Sequence, residues 1–246
     1  MRPALALAGL IALVLAPAPS ADGAGAARPR VALSVSPTRL VLAAPGSRAI
    51  KVRNDGAEQV AVDATHRAVD GQVVAKWLEI VPARVLLRSG ASAMLTLRAE
   101  PPQRAEPGDH HVVVLLTTRP LGSGRVNVKV RLGVRVRMVV PGRIVRRVTL
   151  GGLRVHKRHN ARFMFVAVAN RGNVTVQLRN RVTTLLVRRD RHIARLNPQV
   201  QRALRPGAHA FLAVRYNGRL RGALTAIVRI QLGSGIRVER RYRIRL

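Results

Sequence analysis

The strongest constraint on the fold of this chain is a two-residue alternation of apolar and polar side chains. Across residues 126–137, apolar residues take the even positions, and mostly polar or charged residues take the odd ones. The same alternation returns across residues 236–246, with one exception at Arg240. A period of two puts one set of side chains on each face of a β-strand, so one face is buried and the other meets water. Helical periodicity is almost absent, and the pattern predicts an all-β protein.

An internal repeat divides the chain into two modules. Residues 87–98 match residues 204–215 at seven of twelve positions, and Asn54-Asp55-Gly56 recurs as Asn170-Arg171-Gly172. The repeat predicts a first domain at residues 31–140 and a second at residues 141–246, joined near Pro141-Gly142. A module of this length, with about seven short strands and no helices, predicts an immunoglobulin-like β-sandwich. The predicted fold is therefore two tandem immunoglobulin-like sandwiches.

The N-terminal 26 residues are predicted to be a secretory signal peptide and a short linker. Arg2 supplies the positive charge, and residues 4–16 form an apolar run that is too short to span a bilayer comfortably. Small-residue cleavage patterns follow at residues 18–20 and 24–26. No later stretch reaches about 18 apolar residues. We therefore expect a mature chain without a transmembrane helix, secreted or held in the cell envelope.

The charge of the chain is strongly positive and uneven. There are 44 Lys and Arg against 11 Asp and Glu, a formal net charge of +33. Residues 31–140 carry 16 basic and 8 acidic side chains, whereas residues 141–246 carry 25 basic and only 2 acidic ones, Asp190 and Glu239. Such a field attracts polyanions and weakens with added salt. GC-rich codon usage also favours arginine, so the sequence leaves open whether the charge is functional.

Residue types that carry chemistry are scarce, and this argues against an enzyme. The chain has no cysteine, which excludes disulfides, cysteine-ligated zinc, iron–sulfur clusters and a thiol nucleophile. It has no phosphate-binding loop or nucleophile elbow, and His110 and His111 fall on opposite sides of a predicted strand. We expect no catalytic residue, no cofactor and no metal. Nucleic acid is also not expected, because six aromatic residues offer little base stacking and the predicted compartment is wrong.

Several short motifs resemble the WxL-interacting proteins, tandem immunoglobulin-like surface proteins of Gram-positive bacteria. They occur at residues 35–39, at Pro45-Gly46, at residues 52–56 and at residues 132–142, the last at the passage from a long strand into the second module. The resemblance implies a first domain that contacts peptidoglycan and a second that contacts a partner surface protein.

A more distant resemblance is to periplasmic pilus-assembly chaperones, which also have two immunoglobulin-like domains. Thr38-Arg39 lies where that family has the first-strand arginine that grips a subunit's C-terminal carboxylate. Arg137 lies near the family's second basic position, one residue out of register. A long alternating edge strand can donate itself to a partner's incomplete sheet. The alternative is that Arg39 and Arg137 are ordinary solvated arginines.

Four residues are candidates for binding: Arg39, Trp77, Arg135 and Arg137. Trp77, the only tryptophan, is expected to be a core or interface anchor or, alternatively, a sugar platform. The leading hypothesis is a non-catalytic envelope scaffold that contacts an anionic cell-wall polymer, peptidoglycan or a surface protein through sheet edges and its cationic second domain. The alternative is a periplasmic chaperone-like protein that acts on pilus or surface subunits by β-strand donation.

Overall fold

The computed structural model describes residues 29–69, 72–120, 129–158, 161–198, 200, 203–233 and 235–246. The predicted signal peptide and linker, residues 1–26, lie outside these residues. No helix within the described ranges has the length and apolar character that crossing a bilayer requires.

The first half of the chain folds as a sandwich of two sheets. Its strands are β1 (Leu33–Ser36), β2 (Arg39–Ala43), β3 (Gly46–Asn54), β4 (Val60–Ala68), β5 (Leu78–Val81), β6 (Arg84–Leu87), β7 (Ser92–Ala99), β8 (Gly108–Pro120) and β9 (Arg131–Val140). One sheet has the order β1-β3-β7-β5, and the other has the order β2-β9-β8-β4-β6. A short 3₁₀ helix at Gln72–Trp77 precedes β5. The five-stranded sheet carries the candidate site described below.

The second half repeats this plan. Its strands are β10 (Val148–Arg158), β11 (Ala161–Asn170), β12 (Val176–Gln177), β13 (Val182–Arg188), β14 (Arg191–Leu196), β15 (Ala203–Leu204), β16 (His209–Tyr216), β17 (Ala223–Gly233) and β18 (Ile236–Arg245). The sheet β10-β11-β16 faces the sheet β14-β13-β17-β18, and β12 pairs with β15 alone. The predicted all-β, immunoglobulin-like fold is confirmed.

The alternation in the sequence builds both cores. In β9, Val134, Val136 and Met138 are fully or almost fully buried, while Arg131 and Arg135, at odd positions of the same strand, are exposed. One apolar cluster draws all its members from residues 31–140, and the remaining clusters draw theirs from residues 148–246. This separation agrees with two modules, and the division at residue 140 stays a prediction.

Each half has nine strands within the described residues, rather than the predicted seven or so. In the first half the extra count comes partly from a divided first strand. Pro37 has no N–H to give to a ladder, so β1 pairs with β3 in one sheet, and after this residue β2 pairs with β9 in the other. The chain thereby crosses from one sheet to the other. A single short 3₁₀ segment at Gln72–Trp77 is the one helical element among the described residues.

The repeated motif Asn-x-Gly is a buried corner that ties two strands together. Asn54 and Asn170 are each fully buried. Asn54 Nδ2 donates to the carbonyls of Glu58 at 2.7 Å and Leu87 at 3.1 Å, and Asn170 Nδ2 donates to the equivalent carbonyls in the second half, at 2.8 and 2.9 Å. In each case Oδ1 accepts the N–H of the glycine two residues on, at 3.0 Å. One side chain therefore satisfies three backbone groups that would otherwise be buried without partners.

Arg240, the exception to the alternation, closes the second sandwich. Its guanidinium donates to the carbonyl of Leu150 on the facing sheet and lies 5.5 Å from the ring centre of Tyr242. The Tyr242 hydroxyl donates to the carbonyl of Gly151 at 2.7 Å. Both carbonyls lie at the irregularity that interrupts the pairing of β10 with β11. Two polar side chains thus compensate for backbone groups that lose their ladder partners.

Replacement of the corner asparagine is expected to destabilise its own sandwich. Asn170→Ala leaves two carbonyls and one N–H without a partner, which costs about 3 kcal/mol of unfolding free energy. Asn217→Ala is the matched control, because Asn217 is exposed and accepts only from Arg215, so we expect a loss of about 0.5 kcal/mol or less. Urea unfolding followed by circular dichroism measures both. Equal losses in the two variants would contradict the role of the corner.

Candidate functional site

The outer face of the five-stranded sheet brings three of the four predicted residues together. Arg39 on β2 lies directly opposite Arg135 on β9 in their parallel pairing, and Arg137 follows two residues later on the same face. Arg39 and Arg135 are exposed. Neither has an acidic partner among the described residues. The parallel register holds the side chains of Arg39 and Arg135 on one side of the sheet, so two positive charges lie next to each other there.

Both carboxylates on this outer face are already engaged. Asp63 on β4 is bound by Arg84 at 2.6 Å and by Arg119. The hydrogen bond from Arg84 holds the pKa of Asp63 below its usual value of 3.8. Asp109 at the start of β8 is bound by Arg137. The positive charge of Arg39 and Arg135 is therefore not compensated by the sheet that carries them.

β9 has an edge that is only partly covered. β2 pairs with β9 from Arg135 to Val139, so no described strand pairs with residues 131–134 on that side. The N–H of Arg135 donates to the carbonyl of Thr38, at 3.0 Å, and thus points to the β2 side. Because N–H direction alternates along a strand, the N–H groups of Arg131 and Gly133 point to the same side. These two donors face the open edge, where another strand can pair with them.

An apolar floor lies beside this edge. Val113 and Leu115 of β8 are half-buried on the outer face, opposite Arg135 and Gly133. Because Gly133 has no side chain, Val113 Cγ1 and Leu115 Cδ2 come within 3.5 and 4.0 Å of the position a Cβ would take. Val41 on β2 adds an exposed apolar side chain to the same face. The site thus combines free backbone donors, apolar surface and two unpaired arginines.

Arg137 is part of the joint between the two halves. Its Nη1 donates to Asp109 Oδ2 at 3.1 Å, and the same oxygen accepts the N–H of Thr175 at 2.7 Å. The Thr175 hydroxyl is 2.8 Å from His111 Nε2. The Asp109 side chain is only 3% exposed, so its charge relies on these partners. Arg137 therefore serves first to hold the second sandwich against the outer face of the first.

Asn173 is the residue of this joint that sequence reasoning missed. Its Nδ2 donates to the carbonyls of Pro107 and Arg143, at 2.8 Å each, and its own carbonyl accepts the N–H of Asp109 at 2.8 Å. Gly108 makes this approach possible, because a Cβ there would lie 2.0 Å from the Asn173 carbonyl oxygen. A signal was present in the repeat. Where the first module has Ala57, the second has a polar residue directly after its Asn-x-Gly corner.

Trp77 lies elsewhere in the first sandwich. It ends the 3₁₀ helix, is partly buried, and packs against the first apolar cluster. Its ring meets that of His110 edge-on, with the ring centres 4.9 Å apart. The neighbouring His111 turns to the opposite face, towards Thr175, as the alternation predicts. The described residues hold no group of three or more His, Asp or Glu that could ligate a metal.

The joint is expected to open when Gly108 gains a side chain. Gly108 has φ +121°, and in Gly108→Ala the new methyl group displaces the Asn173 carbonyl. We expect a larger radius of gyration in small-angle scattering and a lower Tm. Gly90→Ala is the control, because Gly90 also has a positive φ, +72°, but has open space around it. If Gly90→Ala expands the molecule as much, the close approach at Gly108 is not what holds the halves together.

Comparison with known proteins gives similarity in fold but not in sequence. No family model matches the chain, and no curated protein matches it in sequence. The structure of the class 5 fimbriae chaperone CfaA is similar, with a TM-score of 0.54 and 12% identity, over 87% of this chain and 100% of that one. A chain from a chaperone–tip adhesin complex of CFA/I fimbriae biogenesis has a TM-score of 0.53 and 14% identity, over 85% of this chain and 98% of that one. The comparisons give no support to the resemblance to WxL-interacting proteins. The chain has the fold of these fimbrial chaperones.

Proposed function

We propose that this protein is a non-catalytic, chaperone-like protein of the extracytoplasmic space. It binds an incompletely folded subunit of a surface or pilus-like assembly by pairing a subunit strand with the open edge of β9. The observation that carries the proposal is the open edge at residues 131–134, with the Arg131 and Gly133 N–H groups directed outward. Main-chain pairing along such an edge supplies affinity, and alternate side chains supply selectivity. The fold similarity to two fimbrial chaperones supports the same function.

The side chains of β9 also fit strand pairing. Val130 and Leu132 are half-buried at the open end of the strand, and in the sequence the alternation continues upstream to Val126. A partner that lacks one strand of its own sandwich exposes an apolar groove. Val130 and Leu132 are of the right type to enter it, whereas the later apolar residues of the strand, Val134, Val136 and Met138, are buried in the core of this sandwich.

Arg39 and Arg135 supply a second element of recognition. Arginine presents a planar set of donors that matches a carboxylate, and a charge-assisted hydrogen bond is stronger than a neutral one. The two side chains lie side by side where β2 begins to cover β9. A carboxylate of the subunit, held there, would fix the register of its strand on the open edge.

The predicted signal peptide is consistent with work outside the cytoplasmic membrane. Binding of an anionic cell-wall polymer or peptidoglycan, the leading hypothesis from the sequence, stays a prediction, and the comparisons do not support it. Trp77 packs against the first apolar cluster, and we assign it no contact in either strand pairing or polymer binding.

Removal of one outward N–H is expected to weaken capture of the subunit about tenfold, because a main-chain hydrogen bond to the partner strand is lost. Arg131→Pro deletes a donor at the open edge and leaves the inward donors that pair β9 with β8, since Pro is tolerated at the first residue of a strand. Arg131→Gln is the matched control, because it removes the same charge but keeps the N–H. The measurement is recovery of a stoichiometric complex from the envelope of the native host. Capture that is as strong with Arg131→Pro as with Arg131→Gln would rule out pairing along this edge.

Loss of the Arg39 charge is expected to weaken capture without disturbing the fold. Arg39→Gln should reduce the affinity for the subunit about tenfold, since a charge-assisted hydrogen bond is worth about 1.5 kcal/mol or more. Arg48→Gln is the control, because Arg48 is also exposed but lies on β3 of the other sheet. Affinity is measured by biolayer interferometry on the purified complex. Equal weakening by both substitutions would indicate general charge attraction rather than a site at Arg39.

A further inference from the structure

A cationic cavity lies on the second sandwich, in the sheet β14-β13-β17-β18. Its volume is about 530 Å³, and four arginines line it: Arg181, Arg195, Arg229 and Arg237. They come from β14, β17, β18 and the residue before β13, so separate parts of the sheet direct guanidinium groups to one place. The backbone of Arg181 is fixed by the hydrogen bond from the Gln231 N–H to its carbonyl, at 2.9 Å.

One carboxylate organises two of these arginines. Arg229 Nε and Arg237 Nη2 both donate to Glu239 Oε2, at 2.7 Å each. The hydrogen bond from Arg229 holds the pKa of Glu239 below its usual value of 4.5, so this carboxylate is charged at neutral pH. It positions the two guanidinium groups and neutralises one charge. Guanidinium groups have five donors each, so most of their N–H groups stay available.

The other two arginines are not compensated. Arg181 and Arg195 have no acidic partner among the described residues. Asp190 is the only other acid in residues 141–246, and it does not line the cavity. The four arginines and Glu239 together leave three positive charges in one concavity, where like charges repel. Thr183 and Gln231 add further polar side chains to the lining.

We propose that this cavity is a binding site for a multiply charged oxyanion of the phosphate type. Phosphate oxygens accept the paired donors of guanidinium groups, and several charges on one ligand match the excess of positive charge. A single carboxylate would neutralise only one of the three charges. The volume accommodates more than one tetrahedral group, so linked phosphates fit the site better than one. The site is independent of the β9 edge and does not rest on the proposed function.

The test uses the full mature chain and sodium tripolyphosphate in isothermal titration calorimetry. The double substitution Arg181→Gln with Arg195→Gln removes the two unpaired cavity charges. Arg154→Gln with Arg158→Gln is the matched control, because both residues are exposed on β10, outside the cavity lining, and the net charge falls equally. We expect one saturable site, at least tenfold weaker in the cavity variant and less than twofold weaker in the control, with binding that falls as salt rises. Thermal unfolding of both variants confirms that they fold.

A second arm repeats the titration with a purified glycerol-phosphate polymer. If the polymer binds with the same dependence on Arg181 and Arg195, the natural ligand carries its phosphates on a polymer. If only tripolyphosphate shows that dependence, the ligand is a free polyphosphate. The proposal is overturned if tripolyphosphate does not saturate a site, or if the cavity and control variants lose affinity equally, because equal loss reflects net charge alone.

Discussion

The buried Asn-x-Gly corner is the interaction on which the rest of this structure depends. In each sandwich one asparagine side chain satisfies backbone groups from two separate segments, and the glycine after it lets a third segment approach. In the second sandwich the same turn continues into Asn173 and Thr175, which dock on Gly108 and Asp109 of the first. The corner therefore stabilises a domain and also presents the surface by which the two domains meet.

The joint decides what the outer face of the first sandwich can do. It uses Asp109 and Arg137, an ion pair on the same face as the exposed arginines. Arg39 and Arg135 are left without a partner in the described part of the chain, at the point where β2 stops covering β9. A free backbone edge, an apolar floor and unpaired positive charge thus lie side by side, and the proposed strand pairing depends on that arrangement.

Acidic residues are few, and several of them bind arginines. Asp63, Asp109 and Glu239 each bind at least one arginine, and two of them bind more than one. Many of the other arginines form a solvated strand face, as along β18, where Arg243 and Arg245 are exposed. In the cavity beside Glu239, by contrast, four arginines from separate parts of one sheet converge, and that convergence distinguishes a candidate site from general charge.

The sequence alone predicts the strand content, the alternation of buried and exposed residues, and the duplicated module. It does so because a two-residue period and a repeated corner motif are local properties of the chain. The same alternation identified Arg135 and Arg137 as outward-facing residues and marked Arg240 as an exception, whereas Arg39 was a candidate because of the resemblance to pilus-assembly chaperones. What tertiary structure alone decided is which arginines are free. Several contacts join residues that are separated along the chain. They are the pairing of Arg137 with Asp109, the docking of Asn173 on Pro107 and Gly108, and the convergence of Arg181 with Arg195. No local pattern encodes such partners, because they depend on how the strands are ordered in each sheet and how the two sandwiches meet.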